Sequence, residues 1–188
     1  MNYFEFDKAK SNTVYADNHP TSIKLLTYNL FLRPPGIKTN KSDYKDERLA
    51  EFFKIMDEYD IICLQEVFGT FNSRKYRLIK QAIKKGFYFI ESSPDPSFFS
   101  HFIIDGGLVI LSKFFLKKIK KWIQNIFFFR FPIKNSELCF FEHSDFPDAL
   151  TFRGSMYVKI DVFGETLHLF TGHTQATYVG NEIRIVIC

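Results

Sequence analysis

Asp60-Ile61-Ile62-Cys63-Leu64-Gln65-Glu66-Val67 is a short apolar run that turns polar at its end and is followed by Gly69. Aliphatic and β-branched residues without alternation mark a strand covered on both faces. Upstream, Ile23-Lys24-Leu25-Leu26-Thr27-Tyr28-Asn29-Leu30-Phe31-Leu32 reads as a second buried strand, which Pro34-Pro35-Gly36 stops by removing backbone donors and permitting a turn. Between them Leu49, Phe52, Phe53 and Met56 recur at i, i+3, i+4 and i+7, which predicts an amphipathic helix over 43–58 with Ser42-Asp43 as its cap. A second helix is predicted over 71–85, with Leu78, Ile79, Ala82 and Ile83 on one side and a stop at Gly86. Further strands are predicted at 87–91, 108–112, 155–163 and 166–171, the last two joined as a hairpin across Gly164-Glu165. Strand, helix, strand, helix, strand is the rhythm of an α/β layered domain.

The chain has 188 residues, 46% hydrophobic and 24% charged, with a formal net charge of +4. This composition is globular, and the length suits one domain able to bury a sizeable core. No apolar run approaches the roughly 18 residues needed to cross a bilayer. The opening Met1-Asn2-Tyr3-Phe4-Glu5-Phe6-Asp7-Lys8 carries acids where a signal peptide has basic residues. Cys63, Cys139 and Cys188 are odd in number and widely spaced, giving neither a disulfide framework nor a zinc pattern. The expected location is therefore intracellular, cytoplasmic or peripheral to a membrane. The charge is too small to argue nucleic-acid binding by itself, but lysines from Lys113 to Lys121 interleave with Phe114, Phe115, Ile119 and Trp122. From Lys113 to Phe131 the pattern fits a basic amphipathic segment lying on an anionic membrane, or a helix or strand whose apolar side packs on the core.

Three polar residues stand where buried strands emerge. Glu66 ends the run first quoted, Asn29 sits at the comparable point of the first strand, and His173 follows Thr171-Gly172 at the end of the last one. Alone, each is an ordinary strand-end residue. In open α/β sheets, however, ligands bind outside the carboxyl ends of strands, so polar ends on neighbouring strands converge. A hard cation such as Mg²⁺ takes carboxylate, water and phosphate oxygens, and Glu66 with Asn29 nearby can begin such a site. A histidine beside a metal-bound phosphate can donate to oxygens whose charge grows in the transition state, or act as acid or base near neutral pH. His168, in the interior of its strand, reads as structural.

Thr27-Tyr28-Asn29, Leu64-Gln65-Glu66-Val67, Asp105-Gly106-Gly107-Leu108-Val109-Ile110-Leu111-Ser112-Lys113 and Gly172-His173-Thr174-Gln175-Ala176 resemble, in order and spacing, motifs of the endonuclease/exonuclease/phosphatase superfamily. Phe68, the Gly-Gly-Leu before Leu-Ser-Lys, and Thr-Gln-Ala after the histidine are similar to its neutral sphingomyelinase branch. Asp148-Ala149-Leu150-Thr151-Phe152-Arg153-Gly154 resembles that branch's Asp followed five residues later by Lys-Gly, with Arg in place of Lys. The resemblance implies a layered α/β sandwich of the deoxyribonuclease-like type, truncated after its N-terminal portion. It implies a 1–21 N-terminal extension and an incomplete domain over 22–188. It further implies Mg²⁺ bound by Glu66, phosphate positioning by Asn29, phosphate contact by His173, and Asp148 and Arg153 at the mouth of the site. The implied reaction is hydrolysis of a phosphodiester by in-line attack of water, with sphingomyelin giving ceramide and phosphocholine.

Members of the superfamily continue into Gly-Asp-x-Asn and Ser-Asp-His segments. This chain contains neither, and ends on Asn181-Glu182-Ile183-Arg184-Ile185-Val186-Ile187-Cys188, an apolar run without a capping signal that reads as an interruption. The 188 residues are accordingly expected to be inactive or weakly active. The alternative readings are a nuclease or inositol-phosphate phosphatase of the same superfamily, or a catalytically dead membrane-surface module.

Overall fold

The computed structural model describes residues 2–7, 22–37, 43–97, 102–116, 128–130, 132–141, 150–162 and 165–174. In chain order the elements are β1 (Asn2–Asp7), β2 (Ser22–Leu32), α1 (Lys45–Ile55), a 3-10 turn (Met56–Glu58), β3 (Ile61–Val67), α2 (Arg74–Lys84), β4 (Phe87–Ser92) and β5 (Val109–Leu116). Then follow β6 (Phe128–Arg130), β7 (Ile133–Phe140), β8 (Gly154–Val162) and β9 (Glu165–His173).

The first sheet has the order β1-β2-β3-β5-β4, with β6 paired to the far part of β5, and the second has the order β7-β8-β9. Among the described strands only β2 and β3 pair in parallel, joined through α1, with Asn29 opposite Gln65. That register brings the carboxyl ends of the two strands side by side. Residues 2–7, expected to belong to an extension, pair antiparallel with β2 from Asn2 opposite Thr27 to Asp7 opposite Ser22. At the other hairpin, Val162 pairs with Glu165, so the link falls at 163–164, one residue earlier than the sequence reading placed it.

Two cores follow from the alternation of β3. Ile62 and Leu64 face the helices, where they meet Leu26, Leu49, Phe52, Met56, Leu78 and Ala82. Ile61 and Cys63 face the second sheet, where they meet Ile23, Ile110, Met156, Val158 and Ile160. An unbroken apolar strand is what a sheet between a helical layer and another sheet requires. Burial pushes the Cys63 thiol up to about 12, which makes it an inert core residue.

Several expectations need correction. Tyr44, not Asp43, occupies the N-cap of α1, with no side-chain cap hydrogen bond, and Ser42 lies outside the described residues. Asp43 is drawn instead to Arg33, whose Nη2 donates to it at 2.8 Å, with Lys45 Nζ at 3.6 Å. In α2 the buried stripe is Lys75, Leu78 and Ala82, and Ile83 is rotated to solvent. His168 is exposed and lies 2.7 Å from the Tyr157 hydroxyl, on the outer face of the second sheet. The segment from Lys113 to Phe131 contains the end of β5 and the whole of β6, Phe115 pairing with Phe129, and 117–127 and 131 lie outside the described residues. Lys113 does not join a solvated basic face: it is buried, its Nζ donates to the Asp57 carbonyl at 2.5 Å, and it lies over the Phe87 ring. Among the described residues no helix is long and apolar enough to cross a membrane.

Candidate active site

Strict alternation would send Glu66 to the helix side with Ile62 and Leu64. Its backbone prevents this. With φ at 56° Glu66 adopts the left-handed conformation, which costs a residue with a Cβ about 1–2 kcal/mol. Gln65 and Glu66 consequently both point toward the second sheet, and Val67 takes the helix-side place. A register shift between Asn29 and Leu32, with Phe31 at φ 58°, accompanies it on the neighbouring strand.

The distortion assembles the three strand-end residues. Asn29 Nδ2 donates to Glu66 Oε1 at 2.9 Å, and Asn29 Oδ1 accepts from the Phe31 amide at 3.0 Å, which fixes the orientation of the side-chain amide. His173 Nε2 lies 3.4 Å from the same Glu66 oxygen. Arg153 Nη1 donates to His173 Nδ1; a guanidinium donor there leaves the ring proton on Nε2, the nitrogen facing Glu66. Arg153 in turn lies over the Phe68 ring, 5.9 Å from its centroid. The sequence reading placed Arg153 only at the mouth of the site; the structure brings it against His173. Asp148 lies outside the described residues.

Glu66 is 9% exposed. Burial alone would raise its carboxyl pKa, but the hydrogen bonds from His173 and Asn29 and the charge of Arg153 outweigh that and hold it below its ordinary value. Its second oxygen, Oε2, is buried without a hydrogen-bond partner. An ionised carboxylate with one oxygen satisfied and the other buried and unmet is matched to a cation. Among the described residues no group of three or more His, Cys, Asp or Glu side chains gathers into a ready-made metal cage. The donor set therefore fits a hard ion carried by one carboxylate, waters and substrate oxygens, which is the manner of Mg²⁺.

Two supports escaped the sequence reading. Gln65 Nε2 donates to Thr27 Oγ1 at 3.1 Å and to Thr171 Oγ1 at 3.0 Å, tying β2, β3 and β9 together one residue before Glu66. Asp105, fully buried, accepts from the Gly69 amide, the Thr70 amide and hydroxyl, and Lys75 Nζ at 2.9 Å. A carboxylate inside a Gly-Gly motif was the available signal. The glycines have a steric reason as well: a Cβ on Gly106 would stand 2.3 Å from the Phe152 carbonyl, and one on Gly107 would stand 2.9 Å from the Phe68 ring. Without side chains, the two glycines let this loop lie directly against Phe68 and against Phe152, the neighbour of Arg153.

A family model described as "Endonuclease/Exonuclease/phosphatase family" matches residues 26–165. The chain belongs to this family. The endonuclease/exonuclease/phosphatase assignment agrees with the layered α/β architecture and with the neighbours in structure. A sphingomyelinase of Dictyostelium discoideum is 27% identical, over 84% of this chain and 52% of that protein. A β-hairpin deletion mutant of beta toxin from Staphylococcus aureus superposes with a TM-score of 0.64 at 21% identity, covering 87% of this chain and 56% of its own. Sphingomyelinase C from Streptomyces griseocarneus gives 0.61 at 24% identity, covering 84% and 51%. At these identities the solved structures speak to the fold. The chain spans about half the length of the relatives it matches.

Proposed function

We propose that this chain carries part of a Mg²⁺-dependent phosphodiesterase of the sphingomyelinase type, which hydrolyses sphingomyelin to ceramide and phosphocholine. The observation that carries the reading is the buried, unmet Oε2 of Glu66 beside Asn29 and His173. Membership of the family, the sphingomyelinase relative and a beta toxin structure with bound magnesium ions support it. Glu66 would hold the ion. The chemistry Mg²⁺ supplies when bound is neutralisation of phosphate oxygens.

The remaining roles fall to the chain's own residues. Asn29 keeps Glu66 Oε1 occupied, so that Oε2 is the oxygen left for the cation. His173 presents Nε2–H at the carboxyl ends of β2 and β3, where it can donate to a non-bridging phosphate oxygen as charge accumulates. Arg153 fixes the ring through Nδ1 and brings a positive charge to the same pocket. Turnover by these 188 residues should be slow, because an absent general acid or base alone costs about 10²- to 10⁴-fold.

Phosphocholine release from sphingomyelin, with Mg²⁺ and with EDTA, tests the reading alongside abasic DNA and inositol polyphosphates. Slow release that requires Mg²⁺ and disappears in Glu66→Ala is expected. Faster Mg²⁺-dependent cleavage of DNA would overturn the lipid assignment, and release indifferent to EDTA would overturn the metal-dependent one.

A further inference from the structure

Gln65 continues the inward alternation of β3 after Ile61 and Cys63, so a polar side chain stands where the apolar contact between the sheets stops. Its Nε2 donates to Thr27 Oγ1 at 3.1 Å and to Thr171 Oγ1 at 3.0 Å. Thr27 lies two residues before Asn29 on β2, and Thr171, which is buried, lies two residues before His173 on β9. Residues two apart on a strand share a face. The amide and its two hydroxyls therefore form a polar rung beneath the one made by Asn29, Glu66 and His173, with a member on each of the same three strands.

The two hydrogen bonds are not equivalent. Between β2 and β3 the backbone ladder already fixes the spacing, with Thr27 opposite Cys63 and Asn29 opposite Gln65, so the bond to Thr27 mainly orients the amide. β3 and β9 belong to different sheets, and stacked sheets stand about 10 Å apart with side chains alone bridging the gap. Below the rung Cys63, Ile110, Met156 and Val158 fill that gap with apolar contacts, which are non-directional and tolerate sliding. A hydrogen bond at 3.0 Å does not. Gly172 has no side chain, so Thr171 is the last residue of β9 able to anchor the strand before His173, whose Nε2 stands 3.4 Å from Glu66 Oε1. Arg153 reaches the same imidazole from the residue before β8. It restrains the ring and leaves the height of β9 over β3 to the Gln65–Thr171 bond.

We propose that Gln65 is a positioning residue for His173: through Thr171 it locks β9 to β3 and holds the imidazole at its distance from Glu66. The use of that distance in catalysis rests on the phosphodiesterase reading, whereas the distance itself needs neither metal nor substrate.

In metal-free buffer the ring carbon resonances of His173 in the 188-residue chain report the contact, because Glu66→Gln replaces a carboxylate 3.4 Å away by a neutral amide. Thr171→Val, which keeps the shape and removes the acceptor, and Gln65→Met, which removes the donor, should each reduce the displacement caused by Glu66→Gln by about twofold or more. Thr171→Ser keeps the hydroxyl, and Thr27→Val removes a bond inside one sheet, so in these two backgrounds the displacement should match that in wild type. Restoration by Thr171→Ser ties the effect to the hydroxyl and not to general loosening. No displacement in wild type, equal displacement in every background, or an equal reduction in Thr27→Val would each overturn the proposal. Phosphocholine release is a separate readout: Thr171→Val should lower kcat by about tenfold or more while KM stays within about twofold. Resonances that behave as expected in a chain without turnover contradict the catalytic reading alone, whereas turnover with equal displacement in every background contradicts the positioning role alone.

Discussion

Glu66 concentrates several unfavourable terms in one residue: a left-handed backbone, burial, and a carboxylate oxygen without a partner. Phe31, Tyr44 and Phe71, the other described non-glycine residues with positive φ, all lie on the same two strands or the loops leaving them. Strain gathered at one end of a fold persists only where the surroundings over-determine it, here through Asn29, His173 and Asp105. The carboxyl also gives the site a pH signature. Its folded pKa lies below the ordinary 4.5, so the charge contributes stability above 4.5 that is lost as pH falls through the folded value. In metal-free buffer the urea-midpoint difference between wild type and Glu66→Gln should therefore shift steadily in the mutant's favour as the solution is acidified below 4.5. A difference that is constant across that range would mean that the carboxylate is not held in its charged form. Arg153 offers a second check, since Arg153→Met should lower any phosphocholine release by about tenfold or more, with Arg153→Lys recovering part of it.

At the scale of elements, hydrophobic period made β2, α1, β3, α2 and the β8–β9 hairpin legible, because each buries a stripe or face that the sequence spells out directly. What escaped depends on long-range electrostatics. Lys75 looks like a first-turn surface residue, yet its Nζ is buried between Asp105 at 2.9 Å and the Ser93 carbonyl at 2.8 Å. Asp43 looks like a cap until Arg33, just past the end of β2, pairs with it, and Lys113 looks like part of a basic face until Asp57 and Phe87 enclose it. Of the candidate site, the sequence singled out Asn29, Glu66 and His173 by their place at strand ends, and they lie together, whereas the left-handed turn that unites them has no local signature. Breaking a buried ion pair strands the remaining charge. Lys75→Met should accordingly cost about 3–5 kcal/mol in urea unfolding, and a cost below about 1 kcal/mol would place the pair among ordinary surface bridges.

At the scale of the whole molecule, the two sheets bury a common core through Ile61, Cys63, Ile110, Met156 and Val158, but the outer face of the second sheet is less well covered. Phe170 is 71% exposed and stacks on Tyr157 with ring centroids 4.6 Å apart. The relatives extend to about twice the length matched here. An apolar face of this kind favours self-association, so light scattering should show wild-type chain associating as concentration rises and Phe170→Ser doing so less. Equal association in both would place the sticky surface elsewhere.

The proposed metal role of Glu66 turns on its buried, unpartnered Oε2, and titration with Mn²⁺ as a spectroscopic stand-in for Mg²⁺ reads it without requiring turnover. Wild-type chain should remove one equivalent of Mn²⁺ from the free-ion resonance signal in competition with Mg²⁺, and Glu66→Gln should weaken that binding by about tenfold or more. Equal affinity in the two proteins, or none in either, would contradict the central claim.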